Sequence, residues 1–214
     1  MNGARMPPKV KTEQEKQQLR TQIIDAAREL FVSRGVEAVT MREIAKNIGY
    51  SATSIYLHFA DKESLLRAVC DADFLKLASS LNAILSIADP VERMRAFGRG
   101  YAQFALTHPN HYRLMFMTPH LPCSPEKSSV QQNNPEQDAY FQLKSVVNDV
   151  FNAGQFKPQF NDVELIAQTI WAAMHGVCAL QIIMSQDTWI DWRCIEARLQ
   201  LMQQLMLIGL EKEK

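Results

Sequence analysis

The chain has 214 residues, of which 47% are hydrophobic and 21% are charged, and it contains only 8 Gly and 9 Pro. This composition is typical of a globular protein and excludes a disordered or collagen-like chain. The formal net charge at pH 7 is zero, but basic side chains outnumber acidic ones within residues 1–67 and are outnumbered beyond them. Any attraction to a polyanion should therefore come from the N-terminal part.

The cysteines are widely spaced, and the first residues lack the apolar core of a signal peptide. The four are Cys70, Cys123, Cys178 and Cys194. Without a CxxC pair, this pattern predicts a reduced, cytoplasmic protein. Residues 165–184 are apolar enough to be mistaken for a membrane span, but several polar side chains interrupt them. We therefore expect a helix that protein buries on nearly all sides, and no contact with a membrane.

Residues 1–17 are polar and aperiodic, which predicts a flexible arm. Its basic side chains are Arg5, Lys9, Lys11 and Lys16. From Leu19 to Phe31, apolar residues recur at steps of three and four, which indicates a first helix. That helix should end at about Arg34, because Gly35 suits the position that follows a helix.

The next segment, Thr40-Met41-Arg42-Glu43, has the form of a capping box. In this motif the Thr40 hydroxyl and the Glu43 carboxylate each bond an amide at the start of a new helix. That helix should stop at Gly49, Ser51 should begin a short second one, and Asp61 a longer third. Two short helices across a tight glycine turn, packed on a longer helix, are typical of a helix-turn-helix.

The short second helix has two apolar anchors, Ile55 and Phe59, and turns its other side chains outward. Those side chains suit a groove of DNA, because small hydroxyls approach phosphates and base edges closely, methyl groups meet thymine, and amides at a helix start attract phosphate. The flanking basic side chains are Arg42, Lys46 and Lys62. The alternative is that Tyr56 and His58 simply cover the small core.

The remaining sequence predicts five further helices and no strand. Asp89-Pro90 begins a helix that His108-Pro109 interrupts, and a short helix then runs to Phe116. Helices at 136–153, 162–185 and 188–211 follow, and the last two are capped by Asn161 or Asp162 and by Asp187. Residues 118–135 form a long, polar, proline-rich loop. The predicted fold class is all-α.

The final helix has two apolar faces. One consists of Ile190, Cys194, Ala197, Leu201, Leu205 and Ile208. The other consists of Leu199, Met202, Met206 and Leu210. A helix in the middle of a bundle would bury both faces within one chain. Because this helix is the last in the sequence, we favour the alternative, a homodimer built from the last two helices.

Residues 19–69 resemble the DNA-binding domain of the TetR family of transcriptional regulators. The positions that carry the resemblance are Ala26, Ala27, Leu30-Phe31, Gly35, Thr40, Ile44-Ala45, Gly49, Ser51, Tyr56, His58-Phe59, Lys62 and Leu65-Leu66. The resemblance implies an all-helical homodimer of about nine helices that binds a double-stranded DNA operator, an inverted repeat. The expected parts are a flexible arm in 1–17, a helix-turn-helix domain in 18–67 and a ligand-binding and dimerisation domain in 68–214.

The same resemblance assigns the contacts with DNA. The positions are Thr40, Arg42, Ser51, Ala52, Thr53, Ser54, Tyr56, His58 and Lys62. Tyr56 and Lys62 are the expected phosphate ligands, and residues 52–54 would select the operator sequence. The function implied is that of a repressor that a small, apolar effector releases from DNA. The alternative is a regulator that has no effector or that responds to a protein partner.

Two C-terminal segments, residues 112–116 and 171–176, are similar to those of a broad subgroup of TetR-like C-terminal domains. They imply a fold and a mode of dimerisation rather than an effector. The side chains expected to line an apolar cavity with a few polar groups are Tyr101, Phe104, Met115, Met117, Trp171, His175 and Cys178. The alternative is that these residues form a plain core.

Two other functions have less support. Zinc-competent side chains occur at His108, His111, His120 and Cys123. A helix-like segment and a proline-rich loop separate them, so we expect neither a metal nor another cofactor. The sequence has no GxSxG, HExxH or glycine-rich phosphate loop, and an enzyme is therefore the less favoured alternative.

Overall fold

The computed structural model describes residues 12–118 and 125–212. These residues form nine α-helices, and their one isolated β-bridge joins Phe156 and Glu211. The predicted all-α fold class is confirmed. The chain divides into two compact units between Val69 and Cys70. This division lies two residues after the boundary expected from the sequence.

Four helices begin in the N-terminal unit. They are α1 (Glu13–Arg34), α2 (Met41–Asn47), α3 (Ala52–Tyr56) and α4 (Lys62–Leu81), which continues into the C-terminal unit. Positive φ angles of 81° at Gly35 and 73° at Gly49 allow the turns that follow α1 and α2. An L-residue with a side chain adopts this conformation only at a cost in free energy, which explains the two glycines.

Helix α1 starts earlier than predicted. The Thr12 hydroxyl accepts a hydrogen bond from the Glu15 amide at 3.2 Å, and the Glu15 carboxylate accepts one from the Thr12 amide at 2.7 Å. This capping box begins the helix at Glu13, so the predicted start near residue 18 is wrong. Lys16 belongs to the first turns and pairs with Glu13 at 2.6 Å. The other basic residues of the predicted arm, Arg5, Lys9 and Lys11, lie outside the described residues.

Apolar side chains from all four helices form the core of the N-terminal unit. Ile23, Ile44, Ile55 and Leu65 are 0% exposed. Full burial of a side chain of this size contributes about 1.5–3 kcal/mol. The Arg20 guanidinium lies 4.4 Å from the centre of the Phe59 ring and covers the edge of this core. The predicted anchoring of α3 by Ile55 and Phe59 is therefore present.

Five more helices complete the C-terminal unit. They are α5 (Pro90–Thr107), α6 (Pro109–Phe116), α7 (Ala139–Asn152), α8 (Val163–Met184) and α9 (Ile195–Leu210). Asp89, Asp138 and Asp162 accept hydrogen bonds from amides at the starts of α5, α7 and α8. Part of the predicted loop is ordered, because Asp71 accepts bonds from the Ser128 hydroxyl at 2.8 Å and the Ser129 amide at 2.6 Å.

Helix α9 starts seven residues later than predicted. The Asp187 carboxylate accepts a hydrogen bond from the Trp189 amide at 2.9 Å, so it closes a turn instead of capping a helix. A second local bond joins the Trp192 amide to the Ile190 carbonyl at 2.9 Å. The helix begins only at Ile195. These local bonds compete with helix formation in residues 187–194.

Helix α8 is the one helix of the described residues that is long and apolar enough to cross a membrane by length and composition, with a mean hydropathy of 1.4. Only 22% of its apolar window is buried within the chain. One face packs inward through Ile166, Ala167, Met174 and Cys178. The prediction that protein buries this helix on nearly all sides is thus wrong for a single chain, because Leu165 and Ile183 are more than half exposed.

Candidate DNA interface and effector site

The start of α3 is built around two serines. The Ser51 hydroxyl accepts a hydrogen bond from the Ser54 amide at 3.2 Å and lies 2.9 Å from the Ser54 hydroxyl. This cap begins a helix of five residues, in which Ile55 is buried while Thr53 is exposed. The arrangement presents a short polar face to solvent, and capping leaves each serine oxygen with further hydrogen-bonding capacity.

None of the residues predicted to contact DNA is buried. The exposed ones are Thr40, Arg42, Ser51, Thr53 and Tyr56. The half-buried ones are Ala52, Ser54, His58 and Lys62. The Tyr56 side chain is 51% exposed, and the neighbouring Leu57, which the sequence interpretation did not include, is 83% exposed. Leu57 does not fall on the apolar spacing that anchors α3. This mismatch with the anchoring pattern is the signal that could have identified it as an exposed residue.

Lys62 has a structural role that the sequence did not reveal. Its ammonium group donates to the Val36 carbonyl at 2.9 Å and to the Glu37 carbonyl at 3.4 Å, and it lies 3.8 Å from the Glu37 carboxylate. These contacts hold the turn after α1 against the start of α4. Because an ammonium group has three donors, one is left for another acceptor.

Thr40 is also engaged within the unit. Its hydroxyl accepts from the Glu43 amide at 3.3 Å and donates to the Glu43 carboxylate at 2.9 Å. The hydrogen bond from the Thr40 amide, together with the Thr40 hydroxyl and Arg34, lowers the pKa of Glu43. Arg34 lies 2.9 Å from this carboxylate and balances its charge. Arg42 and Lys46 are exposed and have no ion-pair partner within the described part of the chain.

In the C-terminal unit, four side chains form a polar cluster, the tyrosine–histidine cluster, within an aromatic surround. Its members are Tyr101, Tyr112, Trp171 and His175. The two tyrosine oxygens are 2.8 Å apart, and Nδ1 of His175 lies 2.6 Å from the Tyr112 oxygen and 3.2 Å from the Tyr101 oxygen. The indole N–H of Trp171 donates to the Tyr101 oxygen at 3.1 Å.

Burial sets the protonation states of this cluster. It raises the pKa of Tyr101 and that of Tyr112, so both phenols keep their protons. Burial lowers the pKa of His175, which favours the neutral imidazole. On the next turn of α8, burial raises the pKa of the Cys178 thiol to about 12. The cluster therefore consists of neutral donors and acceptors.

The structure brings together only some of the predicted ligand residues. Tyr101, Trp171 and His175 share the tyrosine–histidine cluster, and Cys178 is fully buried beside it. Phe104 instead stacks on His108, with ring centres 5.0 Å apart. Met115 is 2% exposed and belongs to the hydrophobic core, and Met117 packs against that core. Tyr112 was missed as a site residue, although it belongs to one of the segments that resemble the family.

A separate surface pocket of about 160 Å³ lies where the start of α8 meets the end of α9. Its lining is mainly apolar and includes Phe160, Leu165, Ile166, Met206 and Leu210. None of these residues belongs to the predicted ligand set. The pocket borders the exposed face of α8, since Leu165 is 61% exposed.

The zinc set considered in the sequence is only partly described. The rings of His108 and His111 are 5.3 Å apart, and Nδ1 of His111 bonds the Asp73 carboxylate at 2.8 Å. Burial, followed by the charges of Lys76 and His111, lowers the pKa of His108. His120 and Cys123 lie outside the described residues. Within residues 12–118 and 125–212, no three metal-ligating side chains come together.

Two family models match the chain. The model described as "Bacterial regulatory proteins, tetR family" matches residues 23–69, which contain α2 and α3 and most of α1. The model described as "Tetracyclin repressor-like, C-terminal domain" matches residues 94–185. Together the two matches span well over half of the 214 residues.

Individual relatives agree with this assignment. The transcriptional repressor KstR2 of Mycobacterium tuberculosis is 29% identical over 166 residues, which cover 72% of this chain and 79% of KstR2. The transcriptional activator FasR of Mycolicibacterium smegmatis is 36% identical over 98 residues, 45% of each chain. The crystal structure of Bacillus subtilis FadR with stearoyl-CoA has the same fold, with a TM-score of 0.72 and 19% identity over 88% of this chain and 98% of FadR. The chain belongs to the TetR family and is a DNA-binding transcriptional regulator.

Proposed function

We propose that the protein is a repressor that binds an inverted-repeat operator through α3 and is released by a small-molecule effector. The observation that carries this proposal is the division of α3, in which Ile55 is fully buried while Thr53 and Tyr56 point to solvent. A helix held by one side and polar on the other suits the major groove. The relative KstR2 is named a repressor, which supports the sign of regulation.

Within this interface the residues have different roles. Arg42 and Tyr56 bind phosphates, because both side chains are exposed and both have hydrogen-bond donors to offer a phosphate oxygen. Ala52, Thr53 and Ser54 approach base edges. The hydroxyls of Thr40 and Ser51 hold helix starts in place, and the amides at those starts face the phosphate backbone. His58 and Lys62 add contacts at the margin, where Lys62 also holds its own turn.

The homodimer proposed for this protein uses α8 and α9. Large apolar side chains on these helices remain exposed in the single chain: Leu165, Leu180, Ile183, Leu201, Leu205 and Ile208. Met202 and Met206 on the other face of α9 pack against the core. An apolar face of this extent marks an interface between subunits. Two recognition helices in one dimer would enter successive major grooves about 34 Å apart.

The effector proposed for the C-terminal unit is a small, mostly apolar molecule bound beside the tyrosine–histidine cluster. Aromatic rings with a few polar groups are typical of such sites. FadR, which has the same fold, was crystallised with stearoyl-CoA, a ligand with a long apolar acyl chain. Effector binding favours a dimer whose helix spacing does not fit the operator, and a coupling of a few kcal/mol is enough for release.

A gel-shift titration with DNA from upstream of the protein's own gene tests this function. We expect a discrete complex with two chains per DNA, and a competing DNA of shuffled sequence should not displace it. Absence of any sequence-dependent complex would count against DNA-binding regulation at that site. A reporter fused to the same DNA gives the sign, since repression predicts higher expression when the gene is deleted.

A further inference from the structure

The tyrosine–histidine cluster contains a chain of hydrogen bonds with a defined direction. The indole N–H of Trp171 can only donate, so the Tyr101 oxygen accepts it at 3.1 Å. The Tyr101 O–H then donates to the Tyr112 oxygen at 2.8 Å, and the Tyr112 O–H donates to Nδ1 of His175 at 2.6 Å. In this direction the Trp171, Tyr101 and Tyr112 donors all meet an acceptor.

The opposite direction leaves one donor unpaired. If Nδ1 of His175 carried the proton and donated to Tyr112, the Tyr112 hydroxyl would turn to Tyr101. The Tyr101 O–H would then have no acceptor among the residues that the structure describes. Tyr101 is 7% exposed, and an unpaired hydroxyl at a buried position is unfavourable. The network therefore selects the tautomer of His175 that carries its proton on Nε2.

The Nε2–H group is a donor that residues 12–118 and 125–212 do not use. No hydrogen-bond partner of Nε2 occurs among the described residues, whose fully buried unpaired side-chain atoms lie on Arg95, Gln142, Trp192 and Glu211. His175 is half-buried and its Nε2 is not one of these fully buried atoms, so the Nε2–H group is accessible to a ligand. The ring of Phe116, 5.3 Å from the imidazole, and that of Trp171, 6.4 Å away, form an aromatic wall around it.

The imidazole of His175 offers a hydrogen bond without a charge. Burial lowers the pKa of His175, so the ring is neutral near pH 7. The cation that acts on the nearby Cys178 is Arg198. Its guanidinium donates to the Gln181 side chain and to the Arg193 carbonyl, and it lies 4.9 Å from the Trp192 ring. These contacts use two of its five N–H donors and hold the guanidinium against Gln181 and the Trp192 ring.

We propose that Nε2–H of His175 is the specificity-determining donor of the effector site, and that the effector is an uncharged, largely apolar molecule with a carbonyl oxygen that accepts this bond. A ketone, an ester and a thioester share this chemistry. The inference rests on the proposed function, because it takes the C-terminal unit as the effector domain. It adds the class of molecule and the atom that recognises it.

The tautomer can be measured in the full-length protein without any ligand. Two-bond proton–nitrogen correlation spectra of nitrogen-15 histidine-labelled protein distinguish the two tautomers and the imidazolium. We expect the His175 signals of an Nε2–H tautomer at neutral pH. A proton on Nδ1, or a doubly protonated ring, would overturn the proposal.

Matched probes test the class of effector. Equilibrium dialysis of methyl nonyl ketone, undecane and dodecanoate should give the ketone the tightest binding, about threefold to tenfold tighter than the alkane. His175→Phe should abolish this preference, and His175→Gln, which keeps a donor near the same place, should retain it. Equal affinity for ketone and alkane, absence of binding, or tighter binding of dodecanoate would contradict the proposal.

The operator gel shift distinguishes failure of the effector class from failure of the proposed regulatory function. If the wild type forms its DNA complex but shows no preference for the ketone, only the effector class is wrong. If no DNA complex forms while the Nε2–H tautomer and the ketone preference are observed, the proposed regulatory function fails and the binding site stands. His175→Phe should still bind operator DNA in the absence of probes, which excludes global misfolding as the cause of its lost preference.

Discussion

The two units use polar side chains in opposite ways. In the N-terminal unit, Thr53 and Tyr56 point to solvent around a buried Ile55, all within one short helix. In the C-terminal unit, Tyr101 and Tyr112 are buried, and the partners of these tyrosines on α8 are 70 and 63 residues away. The first arrangement follows from spacing along a few residues. The second depends on packing between distant helices, and the apolar surface of this unit lies outside, on α8 and α9.

The largest effect is expected at that outer apolar surface. Leu201 and Leu205 are 56% and 59% exposed in the single chain. The double substitution Leu201→Glu, Leu205→Glu would place charges in the proposed interface twice, once from each subunit. We expect the dimer to dissociate with a loss of affinity of at least about a thousandfold, measured by sedimentation equilibrium.

The matched control for this experiment is Gln103→Glu, which adds a charge at an exposed position of α5. It should leave the dimer unchanged. Circular dichroism should show that the double variant keeps its helices, because both leucines are largely exposed in the isolated chain. A double variant that stays dimeric would place the interface elsewhere.

The next largest effect concerns the anchor of the polar face. Ile55 is 0% exposed, so Ile55→Ala leaves a cavity beneath α3. We expect the free energy of unfolding to fall by about 2–4 kcal/mol, as monitored by guanidinium denaturation. DNA affinity should fall as well, although every polar contact residue is still present. Leu57→Ala, at a position 83% exposed, should change stability by less than about 0.5 kcal/mol.

Local signals account for the parts of the fold that the sequence predicted well. Thr40 with Glu43, and Asp89 before Pro90, identify helix starts within four residues, and the structure has both caps. The same kind of signal at Thr12 and Glu15 was overlooked, so the early start of α1 was predictable. The α9 start was not, because Asp187 is an equally good cap for a helix and for the turn that it closes.

The site was less predictable than the fold for a physical reason. The role of Lys62 depends on the Val36 carbonyl, 26 residues away, and no periodicity connects the two. Likewise, Tyr112 looks like an ordinary core residue until α5 and α8 bring Tyr101 and His175 to its hydroxyl. Residue types identified Tyr101, Trp171 and His175 as candidates, but their hydrogen-bond order could not be read from spacing.

A smaller effect is expected at the polar face itself. Arg42→Ala should weaken operator binding by about fivefold to tenfold and reduce the slope of log affinity against log salt by about one, because one phosphate contact is lost. Tyr56→Phe should weaken binding without changing that slope, since it removes a neutral donor. Fluorescence anisotropy over a range of salt concentrations measures both quantities.

Lys16→Ala is the matched control, because it removes a positive charge of the same unit that already pairs with Glu13 at 2.6 Å. An unchanged slope in Arg42→Ala would show that this side chain does not reach a phosphate. Lys62→Ala should differ from both variants, because it also releases the turn held at Val36 and so lowers the stability of the N-terminal unit.

The smallest effect is a pH dependence of stability in the C-terminal unit. Burial lowers the pKa of His175 in the folded protein below the ordinary value of 6.5. Between these two pKa values the unfolded chain binds more protons than the folded one. The part of the folding stability that depends on a neutral His175 is therefore fully present above about pH 6.5, and it is lost as the pH falls toward the folded pKa. His175→Gln removes this titration and keeps a donor. Guanidinium denaturation between about pH 7.5 and about pH 5.5 should therefore show a steeper acid loss in the wild type than in the variant; equal slopes would mean that the imidazole is as easily protonated in the folded chain as in water.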